Sequence, residues 1–295
     1  MVKKDKGFQI SANIIMMLLS LICLIPFILM FVSSVTDENV LLQNGYSFFP
    51  EKLSLDTYRF LFNSSGSNIW NAYGITVVVT VIGTVANLTL TTLLSYPLSR
   101  KDLPHRRVFS FIVFFTMLFN GGLVPSYIMW TRYIGIKNTL AALIVPALMM
   151  NAFFVMIMRA FFQNSIPDSV IEAARIDGAG EWRVLRVIVL PMAKPMVATL
   201  TIMVGLMYWN DWMNGLYYVN KDSLYSIQVL LNRMLMDVQY LMTNANMSAS
   251  DIGGNLPAVG IRMGVAVIGA LPIMVVYPFF QRFFVKGIAI GAVKG

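Results

Sequence analysis

Residues 165–195 read SIPDSVIEAARIDGAGEWRVLRVIVLPMAKP, and this stretch decides how the whole chain is read. Asp168, Glu172, Arg175, Asp177, Glu181, Arg183, Arg186 and Lys194 are crowded between long apolar runs, so the stretch does not itself cross a membrane. Ser165 with Asp168 three residues on makes a capping-box-like start, Pro167 falls in a first turn where its missing N–H is harmless, and Gly178 supplies a stop. This predicts a short helix from Ile166 to Asp177, roughly 18 Å long at 1.5 Å per residue. Ile166, Val170, Ala173 and Ala174 fall along one side at three- and four-residue spacing, with Glu172, Arg175 and Asp177 at its margin. A second helical piece starts at Glu181 and carries Trp182, Val184, Leu185 and Val189 until Pro191 and Pro195 redirect the chain. Physics alone leaves two readings open: a docking element for a partner outside the bilayer, or an amphipathic linker lying on the membrane surface.

The composition says what surrounds it. Of 295 residues, 57% are hydrophobic and 12% charged, with a mean hydropathy of +0.70, whereas soluble domains carry about 25% charged residues. The chain is an integral membrane protein, and its long charge-free runs point to helices rather than to the alternating segments of a β-barrel. The net charge of +8 does not indicate nucleic acid, because the basic residues lie in short loops between apolar runs. Cys23 is the sole cysteine and lies inside the first apolar run, which excludes an intrachain disulfide and a thiolate metal cluster. His105, in a basic loop, reads as a surface residue.

Six spans are expected, over 14–31, 75–97, 108–130, 139–158, 195–215 and 263–280, forming an all-α polytopic helical bundle of one domain, 1–295. The first apolar run is too long for a signal-peptide core and reads as a retained helix. The third is interrupted by Asn120, Gly121, Gly122 and Pro125, which a membrane tolerates only where protein or a water-filled cavity receives the freed backbone groups. The N-terminus, the 100–107 loop, the 159–194 stretch and the tail hold 3, 4, 5 and 3 Lys/Arg, against 7 in the opposite connections. By the positive-inside rule both termini, the 165–195 stretch and the tail 282–295 are cytoplasmic.

Glu172-Ala173-Ala174-Arg175-Ile176-Asp177-Gly178-Ala179, followed by Leu190-Pro191 and Pro195, closely resembles the EAA loop of bacterial ABC importer permeases. FNGGLVPSYIMW at 119–130, IGIKNT at 134–139 and the terminal VKGIAIGAVKG are similar to the carbohydrate-uptake branch, the MalG-like permeases and their LplC/YtcP-type relatives. The resemblance covers most of the chain. It implies a type I ABC importer permease, set in membrane lipid, that pairs with a second homologous permease subunit, two ATPase subunits and an extracytoplasmic solute-binding protein. It implies that Glu172, Ala173, Ala174, Asp177 and Gly178 form the ATPase-coupling element, with Glu172 facing a basic partner and Gly178 permitting the turn. It also implies that the tail, through Lys286, Gly287 and Lys294, reaches the ATPase. Trp182 and Val184 stand near a position where many members carry Phe, a departure that bears on the apolar contact.

No Gly-x-x-x-x-Gly-Lys-Ser/Thr occurs, so nothing here cradles nucleotide phosphates and this chain is expected to be a non-catalytic subunit binding no cofactor. ATP and Mg would be used by the partner ATPase. For the solute path, Trp209, Asn210, Asp211 and Asn214 place an aromatic ring beside amides and a carboxylate, a combination that suits sugar ring faces and hydroxyls. Asn120 and Tyr127 beside the glycine pair of the third span are further candidates. Trp212, Tyr217 and Tyr218 equally fit an interfacial aromatic belt. The 216–258 segment reads as a long loop, either a contact for the binding protein or a solvated cap. Two other classes fit less well: an ion-driven secondary transporter needs ionisable residues within several spans, and a membrane glycosyltransferase needs paired acid and base groups that Asp211 alone does not supply.

Overall fold

The structure, a computed structural model, describes residues 6–243 and 258–292. Among them the chain is helical: α1 Lys6–Ser34, α2 Glu38–Asn44, α3 Asp56–Ser99, α4 Arg106–Leu118, α5 Leu123–Ile128, α6 Ala141–Ile144, α7 Ala152–Ser165, α8 Asp168–Ile176, α9 Glu181–Val184, α10 Leu190–Met192, α11 Lys194–Trp209, α12 Met213–Tyr218, α13 Ile227–Thr243 and α14 Ala258–Ala292. The chain divides into two compact units, one of residues up to Ile69 with Leu231–Met274, the other of Trp70–Leu230 with the chain from Val275 onward.

In the first unit α1 is apolar all round, and its most hydropathic window is wholly unburied within the chain, as a lipid-facing helix would be. Asp37 caps α2 by accepting the Asn39 N–H at 3.0 Å, and it takes the Lys52 ammonium at 2.7 Å. The next residue, Glu38, reaches far along the sequence: its carboxylate accepts the Val259 and Gly260 N–H groups at 2.8 and 2.9 Å and so caps the start of α14. The expected long loop over 216–258 contains a helix, α13, which starts in the second unit and continues into the first; Ile227, Val229 and Leu231 on it are buried.

The second unit carries the 165–195 stretch. Here α3 and α7 run side by side in the same direction. Ser95 donates to the Val155 carbonyl at 3.0 Å, and at the end of α3 Arg159 Nε and Gln163 Nε2 donate to the Leu98 and Ser99 carbonyls at 3.0 and 3.3 Å. Those two carbonyls have no partner within their own helix, so α7 closes the C-terminus of α3.

Three expected spans are not continuous helices. The third is bent by 109° between α4 and α5. The Asn120 Oδ1 accepts the Gly122 N–H at 2.8 Å there and stabilises a turn that Gly121-Gly122 permits. The fourth, 139–158, is helical only in α6 and α7, with a break at Val145–Asn151 centred on Pro146. Three carbonyls around it are taken up by side chains from other elements. Tyr208 OH donates to Ile144 O at 2.9 Å, Asn214 Nδ2 to Pro146 O at 2.9 Å, and Asn87 Nδ2 to Leu148 O at 2.6 Å. The fifth divides at Asn210–Trp212 into α11 and α12, and α11 is set at 81° to the helical run Glu181–Met192. By length and composition the described residues hold three unbroken apolar helices, Gly7–Ser34, Ile69–Ser99 and Val259–Val276, and two bent pairs.

Candidate functional site

The 165–195 stretch folds as a helix–turn–helix, with starts and stops that differ in part from the sequence expectation. Ser165 closes α7, and α8 begins at Asp168 after Pro167, with no side-chain cap bond. The capping-box role foreseen for Ser165 is therefore absent, because Pro167 at the junction turns the chain sharply and Asp168 is drawn to two cations. Gly178 stops α8 as expected. Its φ of +77° is a left-handed conformation that a side chain would strain, and it brings Gly178 N to Arg175 O at 3.0 Å and Ala179 N to Ala174 O at 2.9 Å.

One face of α8 is committed to the protein core. Ile171 is 1% and Ala174 8% exposed, and both pack with Phe162, Ile166, Val184 and Leu185. The opposite face presents Glu172, Ala173, Ile176 and Asp177 to the outside, with Ile176 87% exposed. Of the foreseen coupling residues, Ala174 thus points inward and packs. Ile176 joins the outward face, a position legible from its four-residue spacing after Glu172. This burial commits Ile171 and Ala174 to the protein and leaves Ile176 bare on the other face.

A chain of charges ties α8 to the end of α3. Asp168, at the first turn, meets Lys101 Nζ at 2.8 Å and Arg100 Nη1 at 3.4 Å. Arg175, at the last turn, meets Asp102 Oδ2 at 2.8 Å and Glu181 Oε1 at 2.6 Å through Nη2, and its Nε donates to the same Glu181 oxygen at 2.8 Å. Glu181 accepts the Tyr96 hydroxyl at 2.6 Å on its other oxygen. Each carboxyl titrates below its ordinary range. For Asp168 the Lys101 hydrogen bond is the main cause; for Glu181 it is the Tyr96 hydroxyl, joined by Arg175. Around Asp102 burial opposes ionisation, but the Arg175 hydrogen bond, the residue's own backbone and the charges of Arg175 and Arg100 together outweigh it. Asp102 and Glu181 in turn raise Arg175. Sequence reading placed Arg175 only at the margin of α8 and missed Tyr96, Asp102 and Glu181, since their meeting depends on a turn and a loop rather than on spacing.

The residues foreseen for a solute path fall into several settings. Trp209 faces Tyr73 at 6.5 Å between ring centroids, and Tyr73 faces Trp70 at 6.3 Å, so an aromatic row lies at the end of α11. Asn210 bonds back to Leu206 O at 2.9 Å and is exposed. Asp211 is half-buried in the break before α12, with the Asn214 N–H 3.4 Å from Oδ1. Asn214 itself is buried and serves the Pro146 carbonyl, and Asn120 serves the α4–α5 turn. Tyr127 stacks on Tyr218 at 6.0 Å and accepts Lys137 Nζ on its hydroxyl at 3.1 Å. Of the tail residues, Lys286 and Gly287 fall within α14 but their side chains are outside the described set, and Lys294 lies outside the described residues. Among the described residues no three His, Cys, Asp or Glu converge as a metal site.

Comparison with known proteins agrees with this architecture. The family model "Binding-protein-dependent transport system inner membrane component" matches residues 3–290. The chain is 35% identical to the polygalacturonan/rhamnogalacturonan transport system permease protein YtcP of Bacillus subtilis, over 99% of this chain and 100% of that protein. It is 34% identical to protein LplC of the same organism, over 93% of this chain and 90% of that one. A solved bacterial ABC transporter involved in importing the acidic polysaccharide alginate contains a chain that superposes with a TM-score of 0.78 at 28% identity, covering 96% of this chain and 99% of that one. With nearly its whole length matched, the chain belongs to the family of inner membrane components of binding-protein-dependent transport systems.

Proposed function

We propose that the chain is a carbohydrate-importing permease subunit in which α8 is the element that receives motion from a separate ATPase. The observation that carries this reading is the two-sided commitment of α8: Ile171 and Ala174 are locked into the core while Ile176, Glu172 and Ala173 are bare. An exposed isoleucine flanked by charge on a helix of nine residues suits a cleft on a partner protein. The relatives named for polygalacturonan, rhamnogalacturonan and alginate support oligosaccharides as cargo. Ion-driven transport and glycosyl transfer do not fit the family.

The working assembly pairs this chain with a second permease, two ATPase subunits and an extracytoplasmic solute-binding protein, with both termini and α8 on the cytoplasmic side. ATP and Mg act in the ATPase. Its closure moves α8 as a lever, and the bundle alternates between openings on the two sides of the membrane. Asp211, Asn210, Trp209 and Asn120 are the residues we place along the solute path, with Tyr127 and Asn214 supporting it through their bonds to Lys137 and Pro146. Lys286, Gly287 and Lys294 provide a second contact with the ATPase.

The test is coexpression of the permease pair with its ATPase and binding protein. Ile176→Asp and Glu172→Ala are expected to release the ATPase on purification while the permease keeps its thermal stability. Undiminished copurification and transport in both variants would remove α8 from the coupling role. For the solute path, Asp211→Ala is expected to lower oligosaccharide uptake with the assembly intact, and unchanged uptake kinetics would take Asp211 off the path.

A further inference from the structure

The charge chain around α8 does more than hold a helix in place. We infer that Tyr96, Asp102 and Glu181 are positioning residues that, through Arg175, carry the displacement of α8 into the second span, α3; this rests on the reading of α8 as the coupling helix.

A push on α8 has two routes into the bundle. The covalent one runs through α9 and α10 into α11, across an elbow of 81°. An elbow transmits rotation poorly unless both arms are braced. The other route is not covalent, and it acts on both ends of α8. At the first turn Asp168 is gripped by Arg100 and Lys101, the two residues immediately after α3. At the last turn Arg175 is gripped by Asp102, one residue further on, and by Glu181, whose second oxygen holds Tyr96 in the last turn of α3 itself. Apart from Glu181, which passes the grip to Tyr96, every anchor lies within residues 96–102. A helix held at two points by one rigid neighbour can neither slide nor pivot without moving that neighbour.

The choice of groups suits transmission. Arg175 offers a planar fork that fixes direction as well as distance, which a lysine's rotating ammonium does not. Its carboxylate partners are ionised at neutral pH, as their lowered titration shows. The end of α3 is in turn bound to α7 through Arg159 and Gln163, so the receiving element is stiff. Single exposed ion pairs contribute little to stability. A closed network whose members share partners is different, because one displacement loads several bonds together.

The experiment uses the full assembly in liposomes, in a Cys23→Ser background, with two separate thiol reporters. Gly74→Cys lies at the outer end of the second span, where an added Cβ meets nothing within 4 Å. Met213→Cys lies at the start of α12, just beyond the outer end of α11, and is exposed. Labelling by a membrane-impermeant maleimide is measured with and without trapping by Mg-ATP and vanadate. Trapping is expected to change the rate at both reporters. In Asp102→Asn and in Tyr96→Phe the change at Gly74→Cys should fall by half or more, while the change at Met213→Cys and ATPase copurification persist. Asp102→Glu should restore the Gly74→Cys response. The double variant Asp102→Asn with Tyr96→Phe should be no worse than its more affected parent, since both act through the Arg175–Glu181 pair.

An unchanged Gly74→Cys response in both single variants overturns the inference, and so does equal loss at both reporters, which is what general loosening would give. A wild-type assembly in which trapping leaves Gly74→Cys unaltered overturns it as well. The docking reading stands or falls separately, because Ile176→Asp releases the ATPase whether or not the brace transmits.

Discussion

Gly83 on α3 sits under the ring of Tyr208 from α11, and replacing it with alanine tests how tightly the second and fifth spans are keyed together. A Cβ at this position would lie 2.5 Å from both Cε1 and Cζ of Tyr208 and 2.8 Å from Cδ1. Carbon atoms rest at about 3.5–4.0 Å, so the ring has to retreat by about 1 Å. It has little room, being 2% exposed and anchored by its hydroxyl to the Ile144 carbonyl at 2.9 Å. Forcing an extra methyl into a packed site costs about 1–3 kcal/mol. A hydrogen bond inside a membrane protein contributes about 0.6 kcal/mol on average and up to about 1.7. Gly83→Ala should therefore destabilise by roughly 2–4 kcal/mol, with the lost bond a minor share. The assay is SDS-driven unfolding of the purified permease in mixed micelles, run as a double-mutant cycle with Tyr208→Phe. Alone, Tyr208→Phe removes only the bond and should cost about 1 kcal/mol. In the Gly83→Ala background, where the ring has already withdrawn, it should cost close to nothing. Additive costs would mean that the ring accommodates the methyl without giving up Ile144, and a Gly83→Ala protein within about 0.5 kcal/mol of wild type would refute the close-packing argument altogether.

Other expectations follow from the caps and charges. Glu38→Gln keeps the shape of the side chain but removes the charge that two α14 N–H groups share, and should lower stability by about 1–2 kcal/mol in the same unfolding assay; an unchanged midpoint would mean that the cap is replaceable. Asn87→Leu leaves the Leu148 carbonyl without a donor inside the bundle and should cost about 1–3 kcal/mol, more than Thr89→Val on the exposed side of α3, whose hydroxyl only bonds back to its own helix. The carboxyls of Asp102, Asp168 and Glu181 are depressed in the folded protein, so their contribution is complete above the unfolded carboxylate pKa of about 4 and is lost as pH falls through the lower folded values. Hydrogen exchange of the α8 amides, corrected for intrinsic rates, should be level from pH 7 to about 5 and rise only below about 4; loss of protection already above pH 5 would point to some other group.

Much of the fold was legible because membrane physics leaves a marked trace in sequence. Charge-free length gave α1, the inner part of α3 and α14. The loop motif of 172–179 located α8 and its glycine stop. What escaped was set by contacts that local pattern does not encode. The fourth span looks continuous because Pro146 is one residue in a long apolar run, and whether it breaks the helix depends on donors supplied from positions 87, 208 and 214. The helix at Ile227–Thr243 was hidden because its scattered charges read as a solvated loop. In the coupling stretch, spacing suggested that Val170, Ala173 and Ala174 share a face with Ile166, whereas the core takes Ile166, Ile171 and Ala174. The turn at Pro167 separates Ile166 from α8 and resets the register, so periodicity counted across it pointed to the wrong stripe. Asn214 and Asn120 stood out in sequence beside aromatic rings and a glycine pair, whereas their backbone partners, the Pro146 carbonyl and the Gly122 N–H, come from breaks in helices that spacing does not reveal.

That use of amides bears on how the bundle moves. A carbonyl freed in a bilayer without a partner costs several kcal/mol, so a broken span persists only when other elements supply donors to it. At Val145–Asn151 the donors come from α3, α11 and α12, one from each, which makes the break a node where the second, fourth and fifth spans are fastened to one another. The charge chain at the C-terminal end of α3 fastens α8 to it, and α7 continues from the node to within three residues of α8. Between Asn87 at the node and Tyr96 at the charge chain, α3 is uninterrupted helix over about 14 Å at 1.5 Å per residue. A stiff rod fixed at both ends carries displacement without absorbing it. If α8 is the coupling helix, as proposed, motion delivered to it would reach the node through α3 and α7 together, and the three donors there would pass it to α11 and α12.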